Sequence, residues 1–284
     1  MRRSWILGPL VVALCGFGGA SRSVAAETAS GFFRYGDVTL EVAHAYLFRV
    51  DTGLGEESMI FLTPSPIDAA LVAAAFDVES GVDEQIDQVG GGYVRICLDA
   101  EGFECGLYFS NEDPPESFNS SGSGDFTLEA NLPDHVKGSF VLAEPEEFFD
   151  QTFQFDLHFD VGRTPAPEAA SLPEGGGEPG AAYLAYIEAI AAADFPKLRE
   201  IMGPEGSWQF PEEDLSACKE NLKWLRDGTP VTATIWKGEQ RQHDAILFVE
   251  GVDRDEIRRR GRVLMGLEGD VWRYQANDLE SVEE

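Results

Sequence analysis

Between residues 163 and 181 the chain reads RTPAPEAASLPEGGGEPGA, with prolines at 165, 167, 173 and 179 and a glycine run from 175 to 177. Proline fixes φ and offers no N–H, and glycine is the residue most costly to order, so this stretch cannot build a core of its own. The apolar pattern changes period across it, from alternation before to spacings of three and four after. The sequence therefore predicts a β-sandwich-like domain over 27–162, a partly extended tether over 163–180 and an α+β domain over 181–284, behind a leader over 1–26.

Ahead of the tether, short apolar runs such as HAYLFRV, MIFLTP, YVRICLD, ECGLYFS and VKGSFVL are punctuated by Gly-Leu-Gly, Gly-Gly-Gly, Pro-Pro and Ser-Gly-Ser-Gly. Many short strands with such turns predict an all-β antiparallel sandwich or barrel. PIDAALVAAAFDV (66–78) is alanine-rich, with Pro66 at its start and Asp68 in its first turn, and predicts one short helix. The hairpin around Asp99–Gly102 puts Cys97 and Cys105 on opposite arms, where an oxidising compartment would let them bridge. Cys218 lies on the apolar stripe of a later helix and reads as core.

FQFDLHFDV (153–161) alternates without a break. Its polar members Asp156, His158 and Asp160 share a side and are of metal-ligating type. Side chains at i and i+2 are about 7 Å apart along a strand, so one ion could reach two of them only with help from a neighbouring strand. The phenylalanine face accounts for the pattern as a strand with one wet side. Arg258, Arg260 and Arg262 share a strand face too, and read as charges paired with nearby acids.

Behind the tether, AAYLAYIEAIAAAD, FPKLREIM closed by Gly203, and the stretch from Pro211 to Gly228 predict three helices, the second capped by Asp194. PVTATIWKG, DAILFVEG, RRGRVLMGLEG and VWRYQAND predict strands. Helices followed by strands indicate α+β. His243 and Asp244, at the head of one strand, read as turn residues.

The order AAYLAYIEAIAAADFPKLREIM, LKWLRDGTPVTATIWKG, DAILFVEG, GRVLMGLEGDVWRYQ resembles the cystatin-like, nuclear-transport-factor-like cone fold. HAYLFR (44–49), FLTPSPID (61–68) and VRICLDAEG (94–102) resemble the β-rich front half of a family of uncharacterised bacterial secreted proteins and lipoproteins that end in such a domain. The resemblance covers most of the chain after the leader. It implies helices wrapped around a curved antiparallel sheet. In a cone of that kind Tyr186, Trp208, Trp236, Phe248 and Trp272, with Trp224, would be the lining residues, either as filled core or as an apolar ligand pocket. The fold also hosts isomerase-like and cyclase-like enzymes, and fold alone does not decide function.

The opening MRRSWILGPLVVALCGFGGASRSVAA places Arg2 and Arg3 ahead of an apolar stretch and small residues, which predicts a secretory leader cut after Ala26. A lipid anchor at Cys15 is disfavoured by the bulky Leu14 before it. No later run is apolar enough for a membrane span. With 21 basic against 51 acidic residues the formal charge is −30, which repels phosphate backbones and excludes nucleic acid as a partner. There is no GxSxG, HExxH or P-loop motif, and no cofactor is indicated. The sequence favours a secreted or periplasmic, non-catalytic binding or scaffold protein, with a small apolar ligand or a protein partner. A cone-fold enzyme of isomerase, cyclase or hydrolase type, and a divalent-cation-dependent adhesion module, are the alternatives. Mass spectrometry of the mature protein is expected to find Glu27 at the N-terminus; an intact Met1 in the soluble fraction would overturn the leader.

Overall fold

The computed structural model describes residues 27–282, so the leader expected over 1–26 and Cys15 lie outside the described residues. The first unit contains β1 (Glu27–Tyr35), β2 (Val38–Glu41), β3 (His44–Asp51), β4 (Glu56–Thr63), α1 (Ala69–Ala74), α2 (Val78–Val89), β5 (Gly92–Leu98), β6 (Glu104–Glu112), β7 (Pro115–Ser120), β8 (Asp125–Leu132), β9 (His135–Phe148) and β10 (Gln151–Gly162). These strands run antiparallel in the order β7-β6-β5-β4-β3-β1-β10-β9-β8, with β2 also on β1.

The sheet turns a corner at β1. Glu27 and Thr28 pair with β3, while Ala29–Tyr35 pair with β10. Gly31 sits at the turn with φ +112°, and a Cβ there would lie 1.7 Å from the Asp156 carbonyl oxygen. Only glycine permits that approach. The corner brings the two halves of the sheet face to face over one core. Phe33 of β1 stacks on Phe109 of β6 at 4.6 Å and on Phe155 of β10 at 5.6 Å. Neither β1 nor β7 was among the strands expected from the sequence.

Helices α1 and α2 cover the opposite face of β3–β5, where Val72, Val82 and Ile86 pack on Tyr46, Phe48, Phe61 and Tyr93. Burial on both faces is why HAYLFRV and MIFLTP read as apolar runs rather than alternations. Asp68 caps α1 through the N–H groups of Ala70 and Leu71, and Asp77 caps α2 through those of Glu79 and Ser80. The 66–78 stretch therefore ends one helix and begins another. The second is not evident in VESGVDEQIDQV, although Val78, Val82 and Ile86 keep a spacing of four.

The second unit holds β11 (Ala170–Ser171), α3 (Gly177–Ala192), α4 (Phe195–Ser207), α5 (Leu215–Gly228), β12 (Thr232–Arg241), β13 (Asp244–Val252), β14 (Arg258–Glu268) and β15 (Val271–Ser281). Strands β11 to β15 form one antiparallel sheet in chain order. The helices bury Tyr186, Ile190, Leu198, Phe210, Cys218 and Leu222 against Leu247, Val249, Val263, Met265 and Trp272 on one face of it. Helix α4 kinks at Gly203, just before Pro204.

The stretch from 163 to 180 is not a free tether. The Arg163 N–H donates to Asp134 O and the Thr164 N–H to Leu47 O, both at 2.8 Å. Ala170 and Ser171 join β12, and the Leu172 N–H donates to Gly238 O at 2.9 Å. The glycine run forms the entry to α3, where a Cβ on Gly180 would meet the Gly175 carbonyl at 1.9 Å. Composition indicated the absence of a core here but not that backbone groups on both units would hold it.

The free face of the second sheet rests on the first unit. Phe76, Ile246 and Phe248 form a buried cluster with Ala169 and Leu264. The Arg241 guanidinium donates to Ala73 O and Ala75 O, each at 3.2 Å, and lies 4.3 Å over the Phe76 ring. It thereby satisfies carbonyls at the end of α1. Lys237 Nζ reaches Asp51 at 3.0 Å. Limited proteolysis is expected to cut within the exposed 165–168 segment, and the two fragments are expected to co-elute under native conditions. Phe248→Ala should let the nicked fragments separate, at a cost of about 3–5 kcal/mol; fragments of the unmutated chain that part on their own would refute the joint core.

Candidate functional site

The aromatic residues read as filled core or pocket lining divide between places: Trp236 and Phe248 meet with ring centroids 5.4 Å apart, while the others lie elsewhere. Tyr186 is fully buried and stacks on Tyr274 at 4.0 Å. Trp272 is buried with it in the core between helices and sheet. Phe248 lies on the other face of the sheet, in the cluster with Phe76. Trp208 is 72% exposed, and Trp236 is half-exposed with the Arg260 guanidinium 5.0 Å over its ring. Trp224 is exposed as well. The space between helices and sheet is filled by Tyr183, Tyr186 and Phe210.

The room lies outside that core, where the two units meet. A cleft of about 620 Å³ is lined by Phe76 and Glu84 from the first unit and by Trp208, Asp244, Leu264 and Tyr274 from the second. A second hollow of about 700 Å³ shares Ala75, Gly81, Glu84 and Asp244 with it and extends toward Gln240–His243. Local structure places each part. Asp77 anchors α2, so Glu84 falls two turns along its exposed side. A turn with Gln242 at φ +48° sets Asp244 at the head of β13. Trp208 follows α4 directly.

The cleft is electronegative. Burial raises the Asp244 pKa above the usual aspartate value; His243 pulls it down and the Glu84 carboxylate adds to the rise. Among the described residues neither Glu84 nor Asp244 makes an ion pair, whereas Arg273, on the same wall, is held by Glu268 at 3.4 Å and by the Glu200 carbonyl. An apolar floor, an exposed indole and two unpaired carboxylates can seat an apolar body with a positively charged end. Sequence reasoning read Asp244 as a turn residue and did not single out Glu84. The two are 160 positions apart by number, and no periodicity joins them.

The other charged candidates are committed to partners. Asp156 pairs with His158 at 2.9 Å, and Asp160 pairs with His135 of β9 at 2.6 Å. The three candidate metal ligands thus divide between two His–Asp contacts on the wet face of β10, with Phe153, Phe155, Leu157 and Phe159 buried on the other. Arg258 meets Glu250 at 2.7 Å, Arg259 meets Asp253 at 2.9 Å and Arg262 meets Asp278 at 3.5 Å. Asp253 is buried and also accepts the N–H groups of Asp255 and Ile257. Burial pushes its pKa up, and those N–H groups with Arg259 outweigh it and hold the value below the ordinary one. Cys97 and Cys105 are disulfide-bonded with Cα atoms 5.3 Å apart, and Cys218 is a buried free thiol.

Two outcomes follow. Thiol labelling of the denatured, unreduced protein is expected to mark Cys218 and to leave Cys97 and Cys105 untouched. Because Asp244 holds its proton more tightly folded than unfolded, its ionised form is a burden on the fold above its folded pKa. That burden fades as pH falls toward the ordinary aspartate value. Asp244→Asn should therefore raise Tm at pH 7, with the gain shrinking toward zero near pH 3.8; a pH-independent gain would disprove the electrostatic cause.

No protein-family model, no curated protein and no solved structure matches the chain.

Proposed function

We propose that this is an exported, non-catalytic binding protein of the cell envelope, and that its ligand is a small molecule with an apolar body and a cationic end, held in the cleft between the two units. The observation that carries the reading is the cleft itself. It is a concavity that joins an apolar floor and an exposed tryptophan to two carboxylates that make no ion pair among the described residues. The filled helix–sheet core speaks against a ligand inside the second unit, where the cone-fold resemblance would put it. The −30 charge supports a cationic ligand by long-range attraction. A divalent-cation-dependent adhesion role would draw on Asp156, His158 and Asp160, which contact one another and His135.

Octyltrimethylammonium, used below its micelle concentration, is the probe. Saturable quenching of tryptophan fluorescence and a rise in Tm are expected, the latter reaching about 2.7 kcal/mol of stabilisation at a hundredfold excess over Kd. Trp208→Ala should weaken binding at least tenfold and leave the ligand-free Tm unchanged. Glu84→Gln should weaken the cation and spare neutral octanol. Unsaturable binding, or equal binding by Trp208→Ala, would remove the cleft from consideration.

A second reading takes Asp244 as a general acid–base residue of a cone-fold enzyme. The upward pKa shift of a carboxyl in a cleft favours it. Turnover of a bound ligand, lost in Asp244→Asn while binding persists, would establish that reading over the first.

A further inference from the structure

The bridge between Cys97 and Cys105 has a third group against it. Cys97 Sγ lies 3.4 Å from Glu57 Oε2, and one ligand atom from each of Glu57, Cys97 and Cys105 lies within 4.8 Å of the other two. The three come from adjacent strands. β4 supplies Glu57, β5 supplies Cys97 and β6 supplies Cys105. Met59 pairs with Cys97 in register, so Glu57, two residues earlier, is on the Cys97 side of β4. A register shift between Cys97 and Leu98 opposite β6 takes Cys105 out of the regular ladder and toward Cys97.

We propose that, once the bridge is reduced, Glu57, Cys97 and Cys105 form a mononuclear site for a thiolate-preferring divalent cation of the zinc class, with a fourth position open to water or an outside ligand. Two thiolates and a carboxylate are a donor set zinc accepts, and a tetrahedral ion with bonds of about 2.0–2.3 Å holds its donors about 3.5–3.8 Å apart. The present spread needs only a small contraction once the sulfurs separate. Donors on three hydrogen-bonded strands are held more firmly than donors on a loop. Asp278 and Glu280 act on Glu57 electrostatically and add negative potential, opposed by Arg262 and Arg95.

The site and the bridge exclude each other. A small dithiol transfers two electrons and two protons to the bridge, becoming a disulfide itself and leaving two cysteine thiols. Cys105 is the exposed sulfur and the accessible point of attack. The cation then displaces both thiol protons into solvent as the thiolates bind. A small-molecule disulfide reverses the exchange: it takes the two electrons, picks up two protons from solvent to become a dithiol, restores the Cys97–Cys105 bridge and releases the cation. Metal occupancy would thus report the redox state of the surroundings, independently of whether the inter-unit cleft binds a ligand.

Cobalt(II) is the probe. The full chain is reduced with a phosphine, desalted without oxygen and titrated beside the oxidised chain. The reduced chain should take up one equivalent with thiolate-to-cobalt absorption in the near ultraviolet and tetrahedral bands in the visible; the oxidised chain should show neither. Cys105→Ser should lose most of the charge-transfer intensity, Cys218→Ser should keep it, and Glu57→Gln should keep a band but weaken affinity at least tenfold. The proposal is overturned if reduced protein gives no thiolate band, if Glu57→Gln binds as tightly as the parent, or if oxidised protein binds equally. Loss of the far-ultraviolet sheet signal on reduction overturns it as well, because the donors are then no longer held together.

Discussion

Strand β13 must be covered on both faces. Its residues Ala245 to Val249 are all buried, and alternate side chains of a strand point to opposite sides. Ala245, Leu247 and Val249 face the helices of their own unit, while Ile246 and Phe248 face Phe76 of the other. Left open, that second face would expose a large ring and an isoleucine, each worth about 1.5–3 kcal/mol on burial. The two units are therefore one folded body by physical necessity. The Arg241 contacts to the end of α1 and the Lys237–Asp51 pair lie around this apolar patch and fix its orientation.

Other features follow from that contact. The proline- and glycine-rich connection has both ends placed for it, one beside Leu47 and one on the edge of β12, so it behaves as a strap. The cleft lies between α2 of the first unit and residues of α4, β13, β14 and β15 of the second. Its carboxylates Glu84 and Asp244 come from different units and meet only because Phe76 and Phe248 do. The front sheet has an analogous dependence on Gly31, whose close approach to Asp156 allows one strand to serve both halves.

Several charged clusters of this chain are structural. The arginines of β14 are each matched to an acid or an aromatic ring, and Asp253 ties a turn together through two N–H groups and Arg259. The histidines of the β9–β10 face likewise hold Asp156 and Asp160. Among the described residues Glu84 and Asp244 make no such pair, and Asp244 is partly desolvated, where an unpaired carboxylate is costly and a bound cation relieves the cost.

The sequence by itself determined the period of several elements. Unbroken alternation made β10 a strand with a phenylalanine face, spacing of three and four made α3 and α5, and the turn at Asp99–Gly102 set Cys97 opposite Cys105. Local geometry suffices for these, since side-chain direction follows from backbone period. Only the tertiary structure decided what each apolar face meets. DAILFVEG reads the same whether its second face meets a ligand, a helix or another unit, and Trp236, Phe248 and Trp272 read as one aromatic group although Trp236 and Phe248 meet on one face of the sheet and Trp272 lies on the other. β1 escaped notice because Glu27–Tyr35 carries Gly31 and no regular alternation, yet its register with β3 and β10 joins the sheet. The cleft was invisible for the same reason: its walls are residues 76–84, 208 and 244–276, and no short-range pattern in a chain records contacts made across such separations.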